Sequence, residues 1–260
     1  NPKIHFLKYD LSDRKVIDLL PKECDFILHL AGQSSGEISY DDPAGDLMKN
    51  TISTLNLIEY GKSRKVKKFL YASSMSVYGN VPDMPISETI LPNPISCYGI
   101  SKLTSENYLK LFSSEIPFIS LRMFNVYGPG QDLQNLRQGM VSIFISQAIN
   151  NNKIQVKGST ERFRDFIYID DVVDVWFKFT FNPNLVNLTV NLGTGIKTTV
   201  LELLETIKEL NPKFNYHIKG STPGDQKGIY SDNSLVSSLV ELNPFTKLSD
   251  GVVNFYNSVK

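Results

Sequence analysis

Cysteine is scarce in this sequence: Cys24 and Cys97 are the only two among 260 residues, and they lie far apart. That spacing excludes a disulfide framework and fits a reducing compartment, so a cytoplasmic protein is expected. Histidine is almost as sparse. His5, His29 and His217 share no metal-ligand spacing, and no metal site is expected. His29 lies inside the apolar run Phe26-Ile27-Leu28-His29-Leu30 and reads as a core imidazole. No apolar run approaches the roughly 18 residues of a membrane span. The opening Asn1-Pro2-Lys3-Ile4-His5-Phe6 lacks the apolar centre of a signal peptide. Net charge is missing too: Lys+Arg and Asp+Glu both number 27. This balance argues against nucleic acid or a membrane surface as partner.

What is present is core-forming residues, at 41% of the chain. They suffice for one large α/β domain, or for a nucleotide-binding domain with a smaller second lobe. Residues 4–8 read as a short strand, followed by a helix to Leu20 that Ser12 or Asp13 can cap. Residues 25–30 form a continuous apolar run, as in strands buried on both faces of a parallel sheet. Helical spacing over 45–63, a strand at 68–73, a helix at 97–113 and a strand at 118–124 continue the alternation. Alternating strands and helices predict a parallel sheet covered on both faces. After Asn125 the turn Tyr127-Gly128-Pro129-Gly130 breaks the pattern. A helix over 139–150, strands at 154–157, 164–169 and 187–192, and helices over 170–181 and 201–210 follow. Asp170 or Asp171 is expected to cap the first of those last two.

The chemistry-bearing feature is Tyr98-Gly99-Ile100-Ser101-Lys102. Four residues apart on a helix, Tyr98 and Lys102 share one face. A free tyrosine titrates near about pH 10, and a neighbouring ammonium favours its phenolate. Such a pair can exchange a proton with a sugar hydroxyl while a hydride leaves the same carbon. Upstream, the strand at 68–73 runs into Ser73-Ser74-Met75-Ser76-Val77-Tyr78-Gly79. Hydroxyls at the C-terminal end of a parallel strand face the ligand crevice of an α/β sheet, so Ser74 can bond the oxygen that Tyr98 deprotonates. An arginine such as Arg164 suits a diphosphate, because its fork bonds two oxygens. It could equally pair with Asp165 or Asp170.

These motifs occur in one order along nearly the whole chain. With them come His29-Leu30-Ala31-Gly32, Asn50-Thr51-Ile52-Ser53-Thr54-Leu55 and Arg122-Met123-Phe124-Asn125-Val126-Tyr127-Gly128-Pro129-Gly130. Arg164-Asp165-Phe166-Ile167-Tyr168-Ile169-Asp170-Asp171, Asn191-Leu192-Gly193-Thr194-Gly195 and Pro223-Gly224-Asp225 complete the set. The chain thereby resembles the NAD-dependent epimerase/dehydratase family, the extended short-chain dehydrogenase/reductases. The resemblance implies a Rossmann-type doubly wound parallel sheet with a smaller C-terminal substrate lobe. Residues 1–125, with 165–195 partly returning to them, would bind NAD, and 126–164 with 196–260 would bind the substrate. It further implies that Asp10 and Leu11 contact the adenine and that Leu30, Ala31 and Gly32 line the phosphates and ribose. Asn50 would lie near the nicotinamide, with Ser73, Tyr98 and Lys102 also on the cofactor. Ser74, Tyr98 and Lys102 would form the catalytic set. Ser74, Ser76, Asn125, Arg164 and Asp225 would hold a nucleotide-diphospho-sugar. Helices over 45–63 and 97–113 resemble the family's dimer-forming pair, implying a homodimer.

Three departures qualify the resemblance. None of the sixteen glycines forms the Gly-x-x-Gly-x-x-Gly turn that opens the family's fold. The chain reads as starting at the family's third strand, with roughly forty to sixty residues upstream of it, and weak or absent cofactor binding is expected without them. Second, the sugar-nucleotide 4,6-dehydratases carry Asp-Glu after the catalytic hydroxyl, whereas Met75 and Ser76 stand here and neither is a general acid. Third, Ser34 and Thr222 occupy positions where galactose epimerases often carry lysine and arginine. The expected reaction is epimerisation of a nucleotide-diphospho-sugar, at C4, through a transient keto-sugar. A keto-sugar-nucleotide reductase using NAD(P)H, or a non-catalytic remnant, are the alternatives.

Overall fold

The computed structural model describes residues 3–220 and 227–260. Asp13 caps a 3₁₀ turn at Arg14–Leu19, its side chain accepting from the Lys15 amide. Strand β1 (Phe26–His29) follows, then helices α1 (Gly36–Asp41) and α2 (Pro43–Leu47). A π-helical turn at Met48–Ile52 joins α2 to α3 (Ser53–Arg64). Strand β2 (Lys68–Ser74), α4 (Cys97–Leu111) and β3 (Phe118–Met123) come next. With a later strand, β8 (Leu188–Leu192), the strands β1, β2 and β3 form a four-stranded parallel sheet in the order β1-β2-β3-β8.

The two-residue period of the strands decides what each face carries. Ile27, Phe69, Tyr71 and Phe118 point to one side and pack with Leu57, Ile58 and Leu109 of α3 and α4. Leu70, Ala72, Ile119 and Leu121 point to the other and pack with Val172, Val175, Trp176 and Phe179 of a later helix. All seven residues of β2 are buried. That explains why its sequence shows an apolar run and no alternation. The sheet is therefore doubly wound.

Two further strands start the second half: β4 (Asn125–Tyr127), then α5 (Met140–Asn151) and β5 (Lys153–Val156). The single strand expected at 164–169 is instead two short ones, β6 (Phe163–Arg164) and β7 (Phe166–Tyr168), in different sheets. The break is Asp165. Its buried carboxylate accepts from the amides of Thr194, Gly195 and Ser231 and from the hydroxyls of Thr194 and Ser231. Five donors on one side chain outweigh the pairing that a continuous strand would gain. Helix α6 (Ile169–Phe181) begins after Tyr168 with no side-chain cap, so neither Asp170 nor Asp171 caps it. Both lie in its first turn, where the helix dipole favours negative charge, and Asp171 accepts from the Thr246 amide at 2.9 Å.

Then come β8 (Leu188–Leu192), β9 (Thr198–Thr199), α7 (Val200–Leu210), β10 (Asn215–Ile218), β11 (Gly228–Ile229), α8 (Ser234–Leu239) and α9 (Leu248–Ser258). Helix α7 starts with a reciprocal capping box between Thr199 and Glu202. A separate core joins α5, α7, α9 and β5 through Phe144, Ile145, Ile154, Leu203, Ile207 and Phe255. The strand expected at 4–8 is absent. Residues 4–8 pair with no described strand, and a strand without a neighbour leaves its amides and carbonyls unbonded.

His29 closes β1 in the core at 2% exposure, its Nε2 3.0 Å from the Thr54 hydroxyl. Burial, with the Lys102 charge second, lowers its pKa to about 3. The unfolded chain therefore takes up a proton below pH ~6.5 that the folded chain refuses. Stability should fall as pH drops from about 6.5 toward 4, by up to ~1.4 kcal/mol per unit from this one group. Urea midpoints of the wild type and of His29→Asn across that range check this, the variant being expected to show the shallower slope.

Candidate active site

The carboxyl ends of β1, β2 and β3 open on one crevice, and the turn after β2 carries its first functional group. Ser74 ends the strand, and Met75–Val77 turn away as one 3₁₀ turn capped by the Ser74 side chain. Helix α4 starts on Ser96, whose hydroxyl accepts from the Gly99 amide. Gly99 lets that first turn sit directly on the Ser74 turn: a Cβ there would lie 2.4 Å from the Ser76 carbonyl oxygen. This contact brings Tyr98 beside Ser74, and the two side chains line one cavity. One turn on, the Lys102 ammonium donates to the Ala72 carbonyl at 2.9 Å and lies 5.6 Å from the Tyr98 ring centre.

Burial dominates both titrations. It raises Tyr98 to about 12, with the Ser74 hydroxyl opposing and the charge of Asp46 adding. It lowers Lys102 to about 8, against the opposing charges of Asp46 and Glu106. The sequence-based expectation that Lys102 brings Tyr98 below its free value is thus not met. Removing the phenolate from water costs more than an ammonium beyond direct contact returns.

Three cavities surround these groups. One of about 630 Å³ is lined by Asp10, Leu11, Ala31, Gly32 and Lys49. Leu30, expected to line the phosphates, is 62% exposed and is not among its lining residues. The Asp10 carboxylate accepts from the Ser12 amide and hydroxyl. Asn50, in the π-helical turn, is fully buried, and its Oδ1 has no partner. That oxygen lies 2.4 Å from where a Gly32 Cβ would stand, and Lys102 Nζ lies 3.7 Å from the same point. Gly32 therefore clears a path between the cavity and the Tyr98–Lys102 pair. An orphaned amide oxygen, a glycine gap and a buried ammonium fit a dinucleotide passing from Asp10 to Tyr98. Ser73 is buried nearby, its hydroxyl donating to Glu106 at 2.5 Å.

The second cavity, of about 490 Å³, holds Ser73, Ser74, Ser76, Tyr98 and Asn125, and no carboxylate lines it among the described residues. Met75 and Ser76 border it, and Asn125 Nδ2 contacts Met75 Sδ at 3.5 Å. The third, of about 480 Å³, shares Ser34, Ser76 and Asn125 with it and ends on Arg137, Lys157, Arg162 and Arg164. Arg164 is 5% exposed, its Nη1 donating to the Phe163 carbonyl at 2.7 Å. Burial, then the Arg162 charge, lowers its pKa to about 10. Asp165 spends its carboxylate on Thr194, Gly195 and Ser231. Asp225 and Thr222 lie outside the described residues. Ser74, Ser76, Tyr98 and Asn125 thus line the second cavity and Ser76, Asn125 and Arg164 the third, with Lys102 buried behind Tyr98.

Sequence reasoning missed Asp46 and Glu106, both fully buried beside the pair. Each had a signal: Asp46 precedes Asn50 by four residues, and Glu106 follows Lys102 by four. Among the described residues, no group of three His, Cys, Asp or Glu could hold a metal, and no helix is long and apolar enough to cross a membrane.

Comparison with known proteins shows the family and the fold. The structure superposes on the UDP-glucose 4-epimerase of Thermotoga maritima, solved with UDP-glucose, at a TM-score of 0.92 and 31% identity, covering 100% of this chain and 85% of that one. The UDP-glucose 4-epimerase of Mycolicibacterium smegmatis is 30% identical over 96% of this chain and 81% of its own. The dTDP-4-dehydro-6-deoxyglucose reductase of Escherichia coli is 31% identical over 90% of this chain and 74% of its own. The NAD dependent epimerase/dehydratase family matches residues 1–193, and the chain belongs to that family.

Proposed function

We propose that the protein is an NAD-dependent C4 epimerase of a UDP-sugar. The observation that carries this reading is the Ser74–Tyr98 pair, with Lys102 behind it, in a cavity that no carboxylate lines. Dehydration needs a general acid at the leaving group, and Met75 and Ser76 stand where it would be. Asp10, Leu11, Ala31, Gly32 and Asn50 would hold NAD, with Lys102 on the nicotinamide ribose. When bound, NAD supplies reversible hydride transfer at the sugar carbon.

Ser74 positions the C4 oxygen by hydrogen bonding, and Tyr98 takes its proton. The resting Tyr98 is neutral at pH 7, since its pKa lies at about 12. It must therefore lose its own proton to solvent before it can take the sugar's, a loss that Lys102 and the bound cofactor's positive charge would favour by stabilising the phenolate. The 4-keto sugar then turns within the cleft and presents its other face, and Tyr98 returns the proton to the oxygen. Asn125 and Arg164 hold the diphosphate meanwhile, so that the nucleotide stays fixed while the sugar rotates. Residues 126–164 and 196–260 supply that nucleotide grip.

An NMR assay of the full-length protein over a panel of UDP-, dTDP-, GDP- and CDP-sugars tests the reading. C4 inversion of a UDP-sugar is the expected product. Loss of water or net reduction in every arm would refute it. Arg164→Leu is expected to weaken UDP binding by roughly 30-fold, since a charge-assisted hydrogen bond contributes about 2 kcal/mol. Calorimetric titration with UDP checks this, and an unchanged affinity would move the diphosphate elsewhere.

A further inference from the structure

Four charged groups are buried around the catalytic pair: Lys102, Arg122, Asp46 and Glu106 are each no more than 4% exposed. Glu106 is already committed. It takes two hydrogen bonds from Arg122, at 2.9 and 2.7 Å, and one from Ser73. Asp46 has no such cation. Its Oδ1 accepts from Gln33 Nε2 at 2.8 Å and Asn50 Nδ2 at 3.0 Å, and its Oδ2 accepts from Ser101 Oγ at 2.7 Å.

These three donors are not scattered. Ser101 sits between Tyr98 and Lys102 on α4. Asn50 is the amide whose free oxygen faces the Gly32 gap. Gln33 follows Gly32, and its Nε2 also donates to the Ser35 carbonyl at 2.8 Å. One carboxylate thus ties the catalytic helix, the dinucleotide cavity and the crevice loop together. We infer that Asp46 is a positioning residue for the reaction, aiming the Asn50 amide at the cofactor and holding the Lys102 ammonium in charge balance through the Ser101 turn.

A purely structural link would not need a charge. Three neutral donors could be met by a neutral acceptor, without the cost of burying an ion. The charge has a use because Lys102 touches only a carbonyl oxygen directly. The groups facing Lys102 are Tyr98 and Glu106 on its own helix, Tyr71 of β2, His29 of β1 and Asp46 of α2. Among them only Asp46 and Glu106 carry a negative charge that favours the ammonium, and Glu106 is balanced by Arg122. With burial holding Lys102 at about 8, loss of the Asp46 charge lowers it further. The ammonium is then lost at a lower pH.

The inference rests on the epimerase reading for its kinetic arm but not for its binding arm. Asp46→Asn in the full-length protein keeps the size and the acceptor and removes the charge. The alkaline limb of kcat should move down by roughly one pH unit or more, with KM for the UDP-sugar unchanged. Calorimetric titration of Asp46→Ala with NAD should show about tenfold weaker binding, because that variant removes the acceptor that aims the Asn50 amide. The titration reads Asp46 even if no sugar is epimerised, so the two readings fail separately. A limb and an NAD affinity both equal to wild type overturn the inference. Should Asp46→Asn not fold, Ser101→Ala decides: a kcat reduced about tenfold at unchanged KM supports it, and a wild-type kcat overturns it.

Discussion

Tyr98→Phe is expected to reduce kcat by roughly 10²- to 10⁴-fold, the range for loss of a positioned acid–base group. The substitution removes one oxygen and leaves the ring in place beside Lys102, so folding and KM should change little. Ser74 keeps its hydrogen bonds to the hydroxyl and amide of Ser76. Glu37, which lines the adjoining cavity, is held by Arg137 and Lys157. Among the described residues no carboxylate lines the cavity that holds Tyr98, and Lys102 is turned to the Ala72 carbonyl. Steady-state kinetics with a thermal melt checks this, and a kcat within tenfold of wild type would remove Tyr98 from the proton-transfer step.

Glu106→Ala is expected to cost about 3–5 kcal/mol of stability, the usual result of stripping one partner from a buried ion pair. Arg122 is 2% exposed and gives Nε and Nη2 to Glu106 and Nη1 to the Tyr78 hydroxyl at 2.9 Å. Burial disfavours the guanidinium charge, and the hydrogen bonds and charge of Glu106 more than reverse this. Alanine would leave that cation buried without its counter-ion. The strain would reach β2 and β3 at once, since Ser73 and Arg122 face each other in the strand register. Urea unfolding measures the loss, and a change below about 1 kcal/mol would show that Arg122 finds another partner.

Both expectations draw on features of unequal legibility. Tyr98 and Lys102 stand four apart on one helix, and Ser74 ends a strand whose burial on both faces leaves a continuous apolar run. A four-residue spacing and a continuous apolar run therefore reveal the Tyr98–Lys102 pair and the sheet. The charges that support them are another matter. Asp46 meets Ser101 across 55 residues, and Ser73 meets Glu106 across 33. No local pattern joins them. The break at Asp165 is hidden for the same reason, since its donors lie 29 to 66 residues away. Helix α1 escapes notice because it is only six residues long, although Ser35 caps it through the Ile38 amide. Residues 4–8 have strand-like composition, but a strand is made by its neighbour.

The central claim is that proton and hydride leave and return at one carbon in one cleft. A UDP-glucose carrying deuterium at C4 tests it most directly, with the full-length protein and NAD present. The account predicts UDP-galactose that keeps the deuterium at C4, with no lasting reduced cofactor. Deuterium lost to water, or reduced cofactor rising in step with product, would contradict it.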